Sequence, residues 1–368
     1  MSTKKDKFTK KDSFFMNLAI NLARDRSGLT GENPSVGCLI VKDDEIISIG
    51  QTGLKGRPHA EFNAIKYCKK KLKGSTMYVS MEPCTHYGKT PPCSRLIIKS
   101  KIKKVIFSVF DTDKRTSTKS IKIFKSNNIL VKNGLLKKEG NKIYKSYKYN
   151  KSKNLPFVTG KLAVSKDNFI YSYKKLKITN KYSNNITHLL RYRNDSILIS
   201  SNTLNIDNPR LDCRINGLTK FSPKRIILDR CLSIKKNSHI FSTSSNKNTI
   251  IFYNKGKLKK MNLLKKKGIK LIKMAVNKDN FFDLKLLLKK VFSIGCRNLL
   301  VEGGKNLTDS FVKNKLFNEF YLFKSPYKLG SKGKINVSSQ LHRLHNKYKN
   351  KANVDSFTGN DKINIYSQ

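Results

Sequence analysis

HAEFNAIKYC (residues 59–68) and EPCTHYGKTPPC (residues 82–93) are the two stretches that decide how the first half of this chain reads. The first sets Glu61 two positions after His59. The second places a proline directly before each of two cysteines, Cys84 and Cys93. Catalytic zinc takes three protein ligands and keeps a fourth position for water. One imidazole with two thiolates favours zinc over magnesium or calcium, and His59, Cys84 and Cys93 form that set. Glu61 is near enough to work on water there without ligating, taking its proton and passing it to a leaving amine. Pro83 and Pro92 are expected to fix the chain where each thiolate meets a helix N-terminus, whose dipole favours negative charge. A lone HAE or PC arises often by chance. Both in order, with a strand between them, do not.

Outward from these stretches the pattern is α/β. Residues 12–24 read as a helix capped by Asp12 or Ser13, with apolar positions at Phe15, Leu18, Ala19 and Leu22. VGCLIV and EIISIG read as strands joined across the turn KDDE. Residues 60–72 read as a helix, TMYVSM as a strand, SRLIIKS as a helix and KVIFSVF as a strand, so helices layer over one sheet. NKIYKSYKYNKSKN, from Asn141, is polar and basic and reads as a helix end plus linker, which sets a domain at 1–150. Residues 151–368 then alternate again. Strand candidates are SILISS, KRIILD, NTIIFY, IKLIKM, NLLVEGG and FYLF, with helices at 186–193 and 281–292.

The bulk numbers narrow the classes. A chain of 368 residues suits two domains. Mean hydropathy is −0.50, and no apolar run approaches the ~20 residues of a membrane helix. The start, MSTKKDKFTKKD, has no apolar stretch after its basic residues, so a cytoplasmic location is the default expectation. Seven scattered cysteines do not make a disulfide framework. The net charge of +53, from 77 Lys and Arg against 24 Asp and Glu, raises a nucleic-acid reading. Lysine is nevertheless dense in almost every block, with no confined basic stripe, so nucleic acid is not the expected partner. A basic chain does draw anionic small substrates towards a cleft.

Nucleic-acid zinc deaminases carry P-C-x-x-C, whereas here eight residues separate Cys84 from Cys93. With that insert, NPSVGCLIV, HAEFNAI and EPCTHYGKTPPC closely resemble the deaminase half of the bifunctional deaminase/reductase family of bacterial riboflavin biosynthesis. The resemblance implies a cytidine-deaminase-like three-layer α/β domain. It implies hydrolytic removal of the 2-amino group from a 2,5-diamino-6-ribosylamino-pyrimidinone 5′-phosphate. His59, Cys84 and Cys93 would bind one zinc, Glu61 would shuttle the proton, and Asn33 and His86 would contact the pyrimidine. On the residues alone, Asn33 can equally cap a turn before Pro34, and His86 can be an exposed loop residue.

The resemblance continues through the second half, implying a dihydrofolate-reductase-like α/β domain that uses NADPH to reduce the ribosyl group to ribityl. KLAVSKD (161–167), LLRYRNDSILISSNTLNIDNPRLDCR (189–214), RIILD (225–229) and NLLVEGGKNL (298–307) carry it. It assigns Ala163, Thr203, Asp207, Gly304, Lys305, Asn306 and Leu307 to the cofactor, and Arg191, Leu211, Arg214 and Glu302 to the substrate. Two arginines suit a ribose phosphate, which guanidinium grips bidentately. The paired glycines of LLVEGG let backbone approach a ligand, ahead of a helix whose first amides are free to meet phosphate. Where the family reads S-L-D-G, this chain has Ser165, Lys166, Asp167 and Asn168; at the family's Trp stands Lys177, and the chain has no Trp at all. Tyr171 and Tyr173 are the candidate replacements for that aromatic cover. Such families often assemble as homo-oligomers through the reductase half. The alternatives are a deaminase with a non-reducing C-terminal domain and a basic nucleic-acid deaminase.

Overall fold

The computed structural model describes residues 8–173, 177–354 and 356–368, and separates into two compact units, Met1–Asn154 and Leu155–Gln368. In unit 1, α1 (Lys10–Asp25) starts one turn earlier than the sequence suggests. Its cap is Thr9, paired in a capping box with Asp12, so Asp12 sits inside the helix. A hairpin follows, β1 (Gly37–Lys42) and β2 (Glu45–Gln51). Asp43 and Asp44 make its turn, both at positive φ as a tight two-residue hairpin requires. Next come α2 (Ala60–Lys66), β3 (Thr76–Met81), α3 (Cys93–Lys99), β4 (Lys104–Val109), α4 (Lys119–Lys125), β5 (Leu130–Asn133) and α5 (Lys137–Lys153). Helix α2 stops at Lys66 rather than running on to Leu72. The stretch read as a helix end and linker is helical to Lys153.

The sheet order is β2-β1-β3-β4-β5, with β1 antiparallel to both neighbours and the last three strands parallel. The result is three layers. Phe15, Met16, Ala19 and Ile20 of α1 pack on Leu39, Val41, Tyr78 and Ile106, while Ala60, Ala64, Ile97 and Phe124 cover the opposite face. Because β1 lies antiparallel between β2 and β3, those two strands run the same way and end at the same edge.

Unit 2 opens with β6 (Phe157–Val164), then α6 (Lys181–Arg193), β7 (Ser196–Ser200), α7 (Ser201–Asp207), β8 (Lys224–Leu228), α8 (His239–Ser242), β9 (Thr249–Tyr253), α9 (Leu258–Lys266) and β10 (Lys270–Lys273). It continues with α10 (Leu284–Ser293), β11 (Asn298–Val301), α11 (Lys305–Lys313), β12 (Glu319–Lys324), α12 (Ser338–Lys347), β13 (Asn350–Asn353) and β14 (Lys362–Ser367). Its strands run β10-β9-β8-β7-β11-β6-β12-β14-β13, parallel from β10 to β12 and antiparallel beyond. In such a sheet ligands sit beyond the carboxyl ends of the strands, where the order of connection reverses. Here that is the region after β7, β11 and β6. The last two strands, β13 and β14, were not expected from the sequence: NKAN of β13 is exposed throughout and gives no apolar alternation, while KINIYS of β14 is a short pattern that was passed over.

Gly50 of β2 fixes how α2 lies. A side-chain carbon there would fall 2.1 Å from the Ala60 carbonyl oxygen and 2.6 Å from the Ala64 nitrogen, so helix backbone rests directly on strand backbone. Gly50→Ala forces the two apart. It is expected to destabilise unit 1 by ~1–3 kcal/mol, read as a lower urea midpoint with unchanged slope.

Candidate functional site: a zinc centre and a buried ion-pair cleft

His59 occupies the N-cap position of α2 and Glu61 lies in its first turn. Cys84 follows β3 in a loop, and Cys93 is the first residue of α3 after Pro92. Only one of the two thiols therefore sits at a helix N-terminus, correcting the expectation for Cys84. The helix still serves both, since the Cys93 backbone N–H donates to the Cys84 Sγ at 3.2 Å. The ligand atoms of His59, Cys84 and Cys93 all lie within 4.8 Å of one another. His59 Nδ1 is 3.6 Å from Cys84 Sγ and 3.4 Å from Cys93 Sγ. Zinc bonds of ~2.3 Å to sulfur and ~2.0 Å to nitrogen put tetrahedral ligands roughly 3.5–3.8 Å apart, so the residues fit the ion.

The electrostatics agree. Hydrogen bonding from Cys93, then from His59, outweighs burial and holds the Cys84 thiol down at about 4. Cys93, buried beside that thiolate, is pushed well up. Glu61 is 4% exposed. Burial first, and then the Cys84 charge, raise its carboxyl to about 7, where it can hold or release a proton near neutral pH.

The rim is tied at several points. Asn33 donates from its amide to the Gly56 carbonyl at 2.9 Å, bracing the segment that leads into His59. Arg57 bonds Thr90 of the insert, and Arg95 bonds Tyr87. His86 Nδ1 lies 3.0 Å from Thr116 Oγ1, so its ring is held rather than free in solvent.

In unit 2, Arg191 and Glu302 form a bidentate pair, Nε–Oε1 at 2.8 Å and Nη2–Oε2 at 2.9 Å. Arg191 also donates to the Asp212 carbonyl at 3.1 Å. Against the effect of its burial, the Arg191 guanidinium holds the Glu302 carboxyl below its usual range. Leu211 is buried at positive φ beside this segment, and Arg214 is exposed and paired with Asp212 at 2.7 Å. Thr203 lies in α7 near Gly304: a side-chain carbon on Gly304 would stand 3.6 Å from the Thr203 hydroxyl. Gly304 is the N-cap of α11 and no side chain caps that helix, so the first-turn amides of Lys305, Asn306 and Leu307 are open to an anion. This uncapped cradle between α7 and α11 suits a nucleotide phosphate. Asp207 ends α7; burial raises its carboxyl and the nearby Tyr171 hydroxyl works against that, while Tyr173 is 66% exposed. Of the segment before Lys177, residues 174–176 lie outside the described residues.

Two family models match this chain: the cytidine and deoxycytidylate deaminase zinc-binding region over residues 9–109, and the RibD C-terminal domain over residues 156–356. The riboflavin biosynthesis protein RibD of Aquifex aeolicus is 33% identical over 321 residues, spanning 87% of this chain and 88% of its own. The chain belongs to the RibD family. RibD of Buchnera aphidicola is 32% identical over 359 residues, 94% of each chain. The solved Thermotoga maritima diaminohydroxyphosphoribosylaminopyrimidine deaminase/5-amino-6-(5-phosphoribosylamino)uracil reductase superposes with a TM-score of 0.81 at 28% identity, covering 97% of this chain and 98% of that one. Acinetobacter baumannii RibD gives 0.81 at 25% identity, covering 97% and 99%. This chain is thus a bifunctional enzyme of riboflavin biosynthesis, a zinc deaminase fused to a pyrimidine reductase.

Within this RibD-family chain the structure adds residues that the sequence reading passed over. Lys161 of β6, half-buried with its Nζ 5.1 Å over the Phe323 ring, feels the charges of Glu302 and Arg191, and burial lowers its proton affinity. The signal was available: a lysine in the middle of the otherwise apolar FVTGKLAV. His188 accepts the Arg214 backbone N–H at 3.3 Å and helps seat that loop. Neither Glu82 nor Thr116 gave a local signal, because their partners lie some thirty residues away in sequence. Among the described residues no helix is long and apolar enough to cross a membrane. The purified protein should carry about one zinc per chain by elemental analysis, and His59→Ala or Cys84→Ala should reduce that to background.

Proposed function

We propose that the deaminase half hydrolyses the 2-amino group of 2,5-diamino-6-ribosylamino-pyrimidinone 5′-phosphate and that the reductase half, with NADPH, converts the ribosyl group of the product to ribityl. The observation that carries the first step is Glu61: a buried carboxyl beside a His/Cys/Cys cluster, poised to change protonation near neutral pH. Zinc, when bound, supplies Lewis-acid activation of water. The chain's part is proton handling. Glu61 takes the proton released on attack and delivers it to the departing amine, so ammonia rather than an amide anion leaves. Asn33, which braces the segment leading into His59, and His86, two residues after Cys84, suit the polar edge of the pyrimidine.

For the second step, Arg191, Glu302 and Lys161 form a desolvated group of two cations and one anion, matched to an anionic sugar phosphate. Glu302, held by the buried Arg191, would face the substrate, with the exposed Arg214 available to its phosphate and Leu211 shaping the wall. Ala163, Thr203, Asp207, Gly304, Lys305, Asn306 and Leu307 suit the cofactor, the last three through backbone amides. NADPH, when bound, supplies the hydride. Tyr171, near Asp207, and Tyr173 are the residues that would serve as the aromatic cover. A cytoplasmic setting and a homo-oligomer built through the reductase half belong to the same proposal.

Glu61→Gln is expected to keep its zinc and lose deamination by at least about a hundredfold; unaltered turnover would remove Glu61 from the mechanism. Gly304→Val should abolish NADPH binding and consumption while deamination persists. A wild-type chain that deaminates but oxidises no NADPH in the presence of the deaminated intermediate would instead select the non-reducing alternative.

A further inference from the structure

The segment leading into Cys84 is built around a buried carboxylate that has no ion-pair partner among the described residues. Glu82 is 3% exposed. It accepts hydrogen bonds from the backbone N–H of Asp111 at 3.3 Å, of Thr118 at 3.0 Å and of Ser120 at 3.2 Å, and from the Ser120 hydroxyl at 2.7 Å. One side chain at the end of β3 thus caps α4 and closes the loop between β4 and α4. That loop meets the zinc-bearing segment twice more. Thr85 donates to the Arg115 carbonyl at 3.1 Å, and Thr116 pairs with His86.

Thr116 is fully enclosed, at 0% exposure. Among the described residues its hydroxyl has one hydrogen-bond partner, His86 Nδ1 at 3.0 Å. A hydroxyl has a single proton to donate, and burying that proton unpaired is costly. It is satisfied when Nδ1 is the acceptor nitrogen of the ring. The ring proton then resides on Nε2, since the bond made by one imidazole nitrogen sets the state of the other.

We infer that Thr116 is a positioning residue of the deaminase half that locks His86 as its Nε2–H tautomer, so that His86 meets its ligand as a hydrogen-bond donor. The feature it recognises is an acceptor oxygen of the substrate, a ring carbonyl or a phosphate, rather than an amino group. That recognition rests on the pyrimidine reading above; the tautomer does not. The Glu82 cap supplies the rigidity, because it holds Thr116 at a fixed place relative to the segment carrying His86.

The test is nitrogen-15 NMR of the full-length zinc-loaded chain, labelled at its six histidines, with His86 assigned by the signals lost in His86→Gln. Wild type and Thr116→Ser, which keeps the hydroxyl, should show a protonated Nε2 and a bare Nδ1. Thr116→Val, of nearly the same shape, should show a mixture. In parallel, Thr116→Val should raise KM for the diaminopyrimidine substrate on the order of five- to tenfold with kcat changed less than about twofold, and Thr116→Ser should restore KM. A wild-type ring protonated at Nδ1 overturns the inference. So does an unchanged KM in Thr116→Val, or a Thr116→Ser as impaired as the valine variant. If Thr116→Val loses zinc, the wild-type and serine spectra decide alone. A wild type that fails to deaminate this substrate defeats the proposed function, and the spectrum still decides the tautomer.

Discussion

The zinc site depends on one packing contact: α2 lies so close to β2 that Gly50 has no room for a side chain. That contact sets the height of the helix start, which carries His59 as its cap and Glu61 in its first turn. The cysteines arrive from the other side, on the segment between β3 and α3. The two groups meet because β1 runs antiparallel between β2 and β3, which makes both flanking strands end at one edge. A metal centre of three ligands within 4.8 Å is in this sense a property of strand order. The thiolate at Cys84 is then stabilised by an amide from a different element, the start of α3.

The reductase half meets a different constraint, the cost of burying charge. Glu302 and Arg191 satisfy each other through two short bonds, and Arg191 spends a further donor on the Asp212 carbonyl. Leaving either partner alone in such a place is far more costly than burying the pair. Lys161 lies within electrostatic reach of this pair, and its own burial lowers its proton affinity. Both halves thus place ionisable groups where water is scarce. In unit 1 this lifts a carboxyl towards neutrality, whereas in unit 2 the Arg191 guanidinium, working against burial, holds one ionised.

Much of this was legible in the residues. HAE, the two PC pairs and LLVEGG read directly as ligands, proton shuttle and a glycine turn, because metal ligation and close backbone approach demand particular residue types at short spacing. The paired aspartates of KDDE marked the hairpin. Element limits were less legible. Thr9 outcompeted Asp12 and Ser13 as the cap of α1, since it forms a reciprocal box with Asp12, and α2 ended two turns early. Helix α5 carried on through a polar stretch because Tyr144 is buried within it, an anchor hidden among lysines. Strands β13 and β14 pair with each other and β14 with β12, so their place follows from neighbours rather than from their own pattern.

The sequence by itself determined the chemistry: which side chains bind zinc, which carboxyl accompanies it, and that a second α/β unit with a phosphate-ready helix start follows. Those assignments depend on residue identity at short range, and identity is what a sequence records. Only the tertiary structure decided the partners of those groups. That Arg191 is bound to Glu302, and that His86 meets Thr116 in a loop tied to Glu82, both link residues far apart in the chain. Such pairings arise from sheet order and burial, and burial is what shifts a carboxyl or an amine from its ordinary proton affinity.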